Sequence, residues 1–593
     1  MHLTSPTTAA PAAARPAPPE AGLFHPERSW TEWLWAAVVF AGTALAYIPF
    51  LRCEAFWPDE GILLQGAQRI LHGQVLYRDF FSFYTPGSYY ALALLFRLFG
   101  DSVFTGRVVL LLEGAAMAVL TYLLARRVAA RWAALLAAYA MALLTLPFEF
   151  ITLHNWDSTL LAYLALYAAV LWLERPHSIS AGAVGFFAAL TCLDEQSKGA
   201  GLVLGLAAAA FWLARRPPWR AQLRPRQGWA IAAGFALPAL ATAAYFASQG
   251  ALGAMIADVL WPLRHYLAAN SLPYGYMFFH AHIPSTGSWL AKAEAWLWFS
   301  PHLAILLLPW IGVGVAAALW LGLRPGRPAG PARGYYLLAG TVMAGLLLSV
   351  VLTRQDYSHI AYLTPIFVLT LAWITGRRSP GPAARAAAPV IAVYVLLFFT
   401  VAGVRYWARA LGGFPATVAT AHGRLRMAVP DPVLAYLRRL PPGPIFVYPY
   451  QPDYYYLSGR ANPTRYSWLQ WGQNSPRQFA AARAELAATP PVAVLFDLGA
   501  LQWEAKNFPG MPVTSFTGAR RLEAYLLRRF HHCATMPAPP QLWAVLLPRG
   551  VPCLPAVGWP WLNGGIHGAS PDHGAPGPAG RRSRGHAAAP ARR

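Results

Sequence analysis

The chain has 593 residues, of which 56% are hydrophobic and only 12% charged, with a mean hydropathy of +0.38. That balance excludes a soluble multidomain protein and fits a polytopic membrane protein. A formal charge of +23 would suit a nucleic-acid binder, but many of the arginines sit in short connections between apolar runs and five more fall in the last thirteen residues, so membrane topology accounts for them and no nucleic-acid partner is expected.

Residues 1–29 read as a disordered cytoplasmic arm, Ala/Pro-rich over its first 22 positions. The arm lacks the basic start and small-residue cleavage site of a signal peptide, so the first span is expected to be retained. Apolar windows long enough for a helix to cross about 30 Å of hydrocarbon lie at 30–50, 103–125, 132–147, 158–173, 179–193, 199–214, 229–247, 296–323, 335–352, 359–375 and 389–404, eleven in all. Basic residues gather in alternate connections, at Arg126, Arg127 and Arg131, at Arg175, at Arg215 and Arg216, at Arg324 and Arg327, and at Arg377 and Arg378. By the positive-inside rule that side is cytoplasmic. The loops at 51–102, 148–157, 194–198, 248–295 and 353–358 then lie outside, together with everything after about residue 405.

Loop 51–102 has helical periodicity of its own. Ile62, Leu63, Gly66, Ile70 and Leu71 make one apolar face, and residues 89–99 make a second apolar segment too short to span, so both are expected to lie along the membrane interface. After residue 404 the composition becomes that of a soluble α/β domain, expected over 405–559. Asp431-Pro432 opens a short helix, residues 445–450 (IFVYPY) read as a strand, 476–488 as a helix and 492–498 (VAVLFDL) as a second buried strand. Residues 560–593 read as a disordered tail. Cys533 and Cys553 both fall in the exterior part, which leaves a disulfide between them open, whereas Cys53 and Cys192 read as unpaired. The fold class expected is therefore an α-helical polytopic membrane protein of about eleven transmembrane helices with a small α/β extracytoplasmic C-terminal domain.

The polar motifs all land on the outer face, although the charge count that fixed orientation made no use of acids. WPDEG at 57–61, Gly73 to Asp79 and YTPGSYY at 84–90 resemble the first external loop of the GT-C type polytopic glycosyltransferases, the group that includes protein O-mannosyltransferases, the aminoarabinose transferase acting on lipid A and the galacturonic acid transferases of lipopolysaccharide core. Asp157 in HNWDS resembles the group's second external Asp, Lys198-Gly199 its Lys-Gly after a span, HIAYLTPIF at 359–367 its entry to a late span, and 454–466 its bacterial C-terminal domain. One departure stands out: Thr85 precedes Pro86 where the aminoarabinose branch usually has a Lys, so the resemblance does not carry over that branch's donor contact or its sugar.

The resemblance implies transfer of a sugar from a polyprenyl-phosphate donor to a lipid, glycan or protein hydroxyl at the extracytoplasmic face of a bacterial inner membrane, with inversion. Asp59 is then the base that takes the acceptor proton. Glu60 holds the acceptor or tunes Asp59, since adjacent carboxylates resist joint ionisation. Either acid also fits the plain role of a first-turn residue favoured by the helix dipole, and Asp157 is open between a second site acid, a cation ligand and a helix cap. Arg78, Lys198, Arg354 and His359 are candidates to bind the leaving phosphate. His154, Asp157 and Glu60 lack the tight spacing of a divalent-cation site, so no metal and no other cofactor is expected. Two rival classes compete. A lipid-linked sugar transporter or flippase would show polar residues at mid-span and repeated halves, and a non-catalytic anchor would tolerate substitution at Asp59.

Overall fold

The computed structural model describes residues 23–53, 58–216, 225–265, 270–276, 288–322, 330–376, 382–510, 516–538 and 541–555. The expected disordered tail at 560–593 and the first 22 residues of the arm lie outside them.

Among the described residues nine helices are long and apolar enough to cross a membrane: Trp30–Phe50, Val103–Arg126, Arg131–Phe148, His154–Glu174, Gln196–Ala214, Pro225–Ser248, Trp289–Leu321, Pro331–Thr353 and Pro382–Gly412. The window at 359–375 is broken into Tyr357–Phe367 and Leu369–Thr375, bent by 49°. The window at 179–193 is the apolar helix Ser178–Asp194, 17 residues long and short for a full crossing. All eleven windows are thus helical, but the count of full spans is nine, or ten with the broken pair.

The bend follows from Pro365, which cannot donate to the carbonyl one turn back. Backbone carbonyls loosened in hydrocarbon need new donors. The neighbouring span His154–Glu174 supplies two: Tyr163 Oη donates to the Pro365 carbonyl at 2.6 Å and Thr159 Oγ1 to that of Tyr362 at 2.9 Å. Helix Ser178–Asp194 is seated by close backbone approach, since a Cβ on Gly185 would come within 2.0 Å of Ile231 O. Such small-residue seams hold helices together where lipid gives no hydrophobic drive for association.

The basic end of the bundle is not simply a set of arginines facing headgroups. Buried Glu32 accepts from Arg126 at 2.9 Å and from Arg131 at 2.7 Å, while Arg127 pairs with Glu174 at 2.7 Å and with Glu27. Leu23 is buried beside them, and the Phe24 N–H donates to the Arg127 carbonyl at 3.1 Å. The expected disordered arm is therefore too long as drawn: its residues 23–29 are docked, because a fully buried guanidinium such as Arg127 needs carboxylate partners.

At the opposite end the first loop and the C-terminal domain share one apolar core. Helix Pro58–Leu71 buries Ile62, Leu63, Leu64 and Ala67 against it, so this apolar face meets protein and not the membrane surface as the sequence suggests. Helix Gly87–Phe99 buries Tyr89, Leu92 and Phe96 in the same core and leaves Leu94, Leu98 and Phe99 exposed, a face suited to lipid. The C-terminal domain begins with a hairpin of β1 (Ala416–Thr420) and β2 (Gly423–Met427). Its main sheet runs β3-β4-β6-β5, from β3 (Ile445–Tyr448), β4 (Ala493–Asp497), β5 (Phe530–Ala538) and β6 (Gln541–Pro548). Strands β3 and β4 are parallel, which requires a crossover, and helices Asp453–Ser458 and Pro476–Ala488 lie in it. Cys533 and Cys553 are joined by a disulfide.

Candidate active site

Asp59 and Glu60 fall in the first turn of helix Pro58–Leu71. Successive side chains on a helix diverge by about 100°, so the two acids face different surroundings. Glu60 turns to the bundle and is held by Arg107 through Nε at 3.0 Å and Nη2 at 2.7 Å, with the Thr152 N–H donating at 3.0 Å. Both side chains of this pair are buried, an anchoring arrangement that fits neither holding the acceptor nor tuning Asp59 as directly as it fits joining the first loop to the bundle.

Asp59 lines a cavity of about 440 Å³ at the end of the bundle nearest the C-terminal domain. Loops from across the chain converge there: Tyr84 from the first loop, Glu149, Glu195, Leu260 and Leu263, then Arg354 to His359, with Tyr450, Trp468 and Trp503 from the C-terminal domain. The common outer face inferred for these loops from sequence is thus a common end of the structure.

Around Asp59 the electrostatics are unequal. Tyr450 Oη donates to its Oδ1 at 2.6 Å. Burial pushes the Asp59 carboxyl up from its ordinary value, and Tyr450, His359 and Arg354 pull against that. Asp356 behaves oppositely: burial opposes its ionisation, but His359 and Arg354 hold its carboxyl well below the usual range. Its Oδ1 accepts from the His359 backbone N–H at 3.0 Å, capping helix Tyr357–Phe367, and lies 2.7 Å from His359 Nδ1. Arg354 bonds to Asp356 and Asn270 and stacks over Phe508 at 4.6 Å. Glu149 accepts from Tyr362 Oη at 2.6 Å, and burial, with Asp59 and Asp356 adding, pushes it up to about 8. Apolar lining from Val259, Leu260, Pro262, Leu263 and Val350 makes the rest of the wall greasy.

The other candidates lie elsewhere. Lys198 is buried, with Nζ bonded to the Asn155 carbonyl at 2.8 Å, Ser158 Oγ at 2.8 Å, Thr159 Oγ1 at 2.9 Å and Glu195 at 2.9 Å. An ammonium has three donors, so Lys198 has none left for a phosphate and serves to pin one span against another. Asp157 faces Ser88, Glu113 and Asp194 and does not line the cavity. Arg78 is on the surface, forked onto Asp79 at 2.8 Å and 2.9 Å. Of the sequence candidates the structure brings together Asp59, Arg354 and His359.

Sequence reasoning missed Glu149, Glu195, Asp356 and Tyr450. Glu149 did carry a signal, being an acid directly beyond an apolar window. Tyr450 carried none, because it is 391 residues from Asp59 in the chain. Among the described residues a His531, Cys533 and Cys553 group has metal-ligand spacing, but its two sulfurs are joined in the disulfide.

No curated protein matches the chain. Among solved structures it is similar to ArnT from Cupriavidus metallidurans bound to undecaprenyl phosphate, at 13% identity and TM-score 0.49 over 87% of this chain and 98% of that one. The apo state of the same ArnT gives 12% and 0.49 over the same shares. The oligosaccharyltransferase of Archaeoglobus fulgidus in complex with Zn and sulfate gives 12% and 0.43 over 86% and 72%. Residues 84–246 match the family described as dolichyl-phosphate-mannose-protein mannosyltransferase. That match runs from the YTPGSYY motif to the end of span Pro225–Ser248 and bears out the resemblance to GT-C type glycosyltransferases drawn from the motifs.

Proposed function

We propose that the chain transfers a sugar from a polyprenyl-phosphate donor to an acceptor hydroxyl in the cavity that holds Asp59. One observation supports this reading: a single cavity joins the Asp59 carboxyl, the side chains of Arg354 and His359, and an apolar wall at the end of the spans. A donor of this kind has a sugar, a phosphate and a prenyl tail, and each meets a matching surface. The family matched by residues 84–246 is itself described by a polyprenyl-phosphate sugar, dolichyl-phosphate-mannose.

In the reaction Asp59 takes the acceptor hydroxyl proton as that oxygen bonds to the anomeric carbon. The bond from the anomeric carbon to phosphate oxygen breaks, and the phosphate keeps its electron pair beside Arg354 and His359. One displacement inverts the anomeric centre and leaves no sugar on the enzyme. Tyr84, Trp468 and Trp503 offer ring faces for the sugar. The acceptor is a lipid, glycan or protein hydroxyl. The cavity end is the extracytoplasmic face of a bacterial inner membrane, in keeping with the arginine distribution and with a Cys533–Cys553 disulfide, which persists in oxidising compartments.

The test is turnover by purified protein in lipid with labelled polyprenyl-phosphate hexoses and pentoses and cell-envelope acceptors. Asp59→Asn should lower release of free lipid phosphate by roughly 10²- to 10⁴-fold. Undiminished release from a folded Asp59→Asn protein would remove Asp59 as base, and no release from wild type with any donor would return weight to a transporter or an anchor.

A further inference from the structure

We propose that Tyr450 is a positioning residue for Asp59, so that the C-terminal domain is part of the reacting centre. The inference rests on the glycosyl-transfer reading and adds to it a group from a part of the chain that no motif connects with the base. Tyr450 follows strand β3 and lines the cavity, its Oη donating to Asp59 Oδ1 at 2.6 Å, with the Trp503 ring 6.1 Å from its own. The bond is fixed from both sides. On the first loop, Asp59 sits on a helix whose apolar face is buried under the domain. On the domain, Leu469 N–H donates to the Pro449 carbonyl at 2.8 Å, next to Tyr450, and Gly61 is packed so closely on Asp453 that no Cβ fits between them.

A phenol that donates to a carboxylate does two things. It selects one carboxylate oxygen, leaving Oδ2 to face the acceptor, and it favours the ionised form. Other groups act on the same carboxylate: Arg354, Asp356 and His359 from the loop before helix Tyr357–Phe367 and its first turn, Tyr362 and Glu149 across the cavity, Tyr89 from helix Gly87–Phe99, and Asp453 beside the domain contact. Tyr450 is the one in this set with a hydrogen bond to Asp59, so its removal acts on the base itself while the charges around it stay in place.

The experiment is the pH profile of kcat/KM for a polyprenyl-phosphate sugar with wild type, Tyr450→Phe and Asp59→Asn. The donor is a phosphodiester with no titration near neutrality, and Glu149 titrates in the same cavity, so the limb that Asp59→Asn abolishes is the one that reports the base. Losing the phenol disfavours the charged carboxylate, hence the limb moves to higher pH, by about one unit for a hydrogen bond to a charged group. KM for the donor and the maximum of the profile stay near wild type. Because Tyr450→Phe could also disturb folding, 3-fluorotyrosine at position 450 provides a second probe: a more acidic phenol of nearly the same size should move the limb to lower pH. An unmoved limb in both proteins, or a loss equal at every pH, would overturn the role of Tyr450. Full activity in Asp59→Asn would overturn the base assignment instead, so the two failures are distinguishable.

Discussion

At the scale of single residues, Glu149 shows how the cavity stores pH dependence. Burial, with Asp59 and Asp356 adding, pushes its carboxyl up to about 8, against about 4.3 in an unfolded chain. Between those values the folded protein holds a proton that the unfolded chain has released, so stability falls as pH rises across that window. Glu149→Gln removes the titrating group while keeping an acceptor for Tyr362. Its thermal unfolding temperature is expected to gain on wild type steadily from about pH 5 to about pH 8, and parallel curves would show that Glu149 carries no such proton. Asp356 was not legible as a site residue in the sequence, because what marks it is burial beside other charges, and Glu149 offered only its place directly beyond an apolar window. Asp59 was legible, since an acid pair at a helix start beyond a span has few plain reasons to be there.

At the scale of elements, helix Pro58–Leu71 is the part that organises the site, aiming Asp59 into the cavity and Glu60 at Arg107. Its seat under the C-terminal domain depends on Gly61, where a Cβ would lie 2.4 Å from the Asp453 backbone nitrogen. Gly61→Ala gains up to about 1 kcal/mol of helix propensity, but overpacking against backbone costs about 1 to 3 kcal/mol. The clash wins, so the variant should melt below wild type, whereas Gly42→Ala, with nothing within 4 Å of the new methyl, should not. A melting temperature at or above wild type for Gly61→Ala would mean the domain docks less tightly than described. The helix itself was predictable from its period, but its environment was not. An apolar face at i, i+3, i+4 and i+7 looks the same whether it meets lipid or another domain.

At the scale of the whole molecule, hydropathy and charge located all eleven apolar helices and brought the active loops to one end. They overcounted full spans because window length says nothing about the break after Pro365 or the short helix Ser178–Asp194, both of which are tolerated through partners on neighbouring helices. They gave no sign that Lys198 and Arg78 are paired with the nearby carboxylates of Glu195 and Asp79. A separate cavity of about 210 Å³ lies among the spans, lined by apolar residues such as Trp172, Leu213 and Phe235, with no titratable group in its wall.

That contrast sets the most direct measurement. The account's central claim is that a lipid-linked sugar phosphate binds in the cavity beside Asp59 and Arg354. A polyprenyl phosphate bearing a photoreactive diazirine next to the phosphate, cross-linked to wild-type protein in lipid and mapped by mass spectrometry, should label Val259 to Leu263 and Val350 to His359. Competition by unlabelled polyprenyl phosphate should remove those adducts. Adducts confined to the apolar cavity around Trp172 and Phe235, or spread without competition over the lipid-facing spans, would contradict the account.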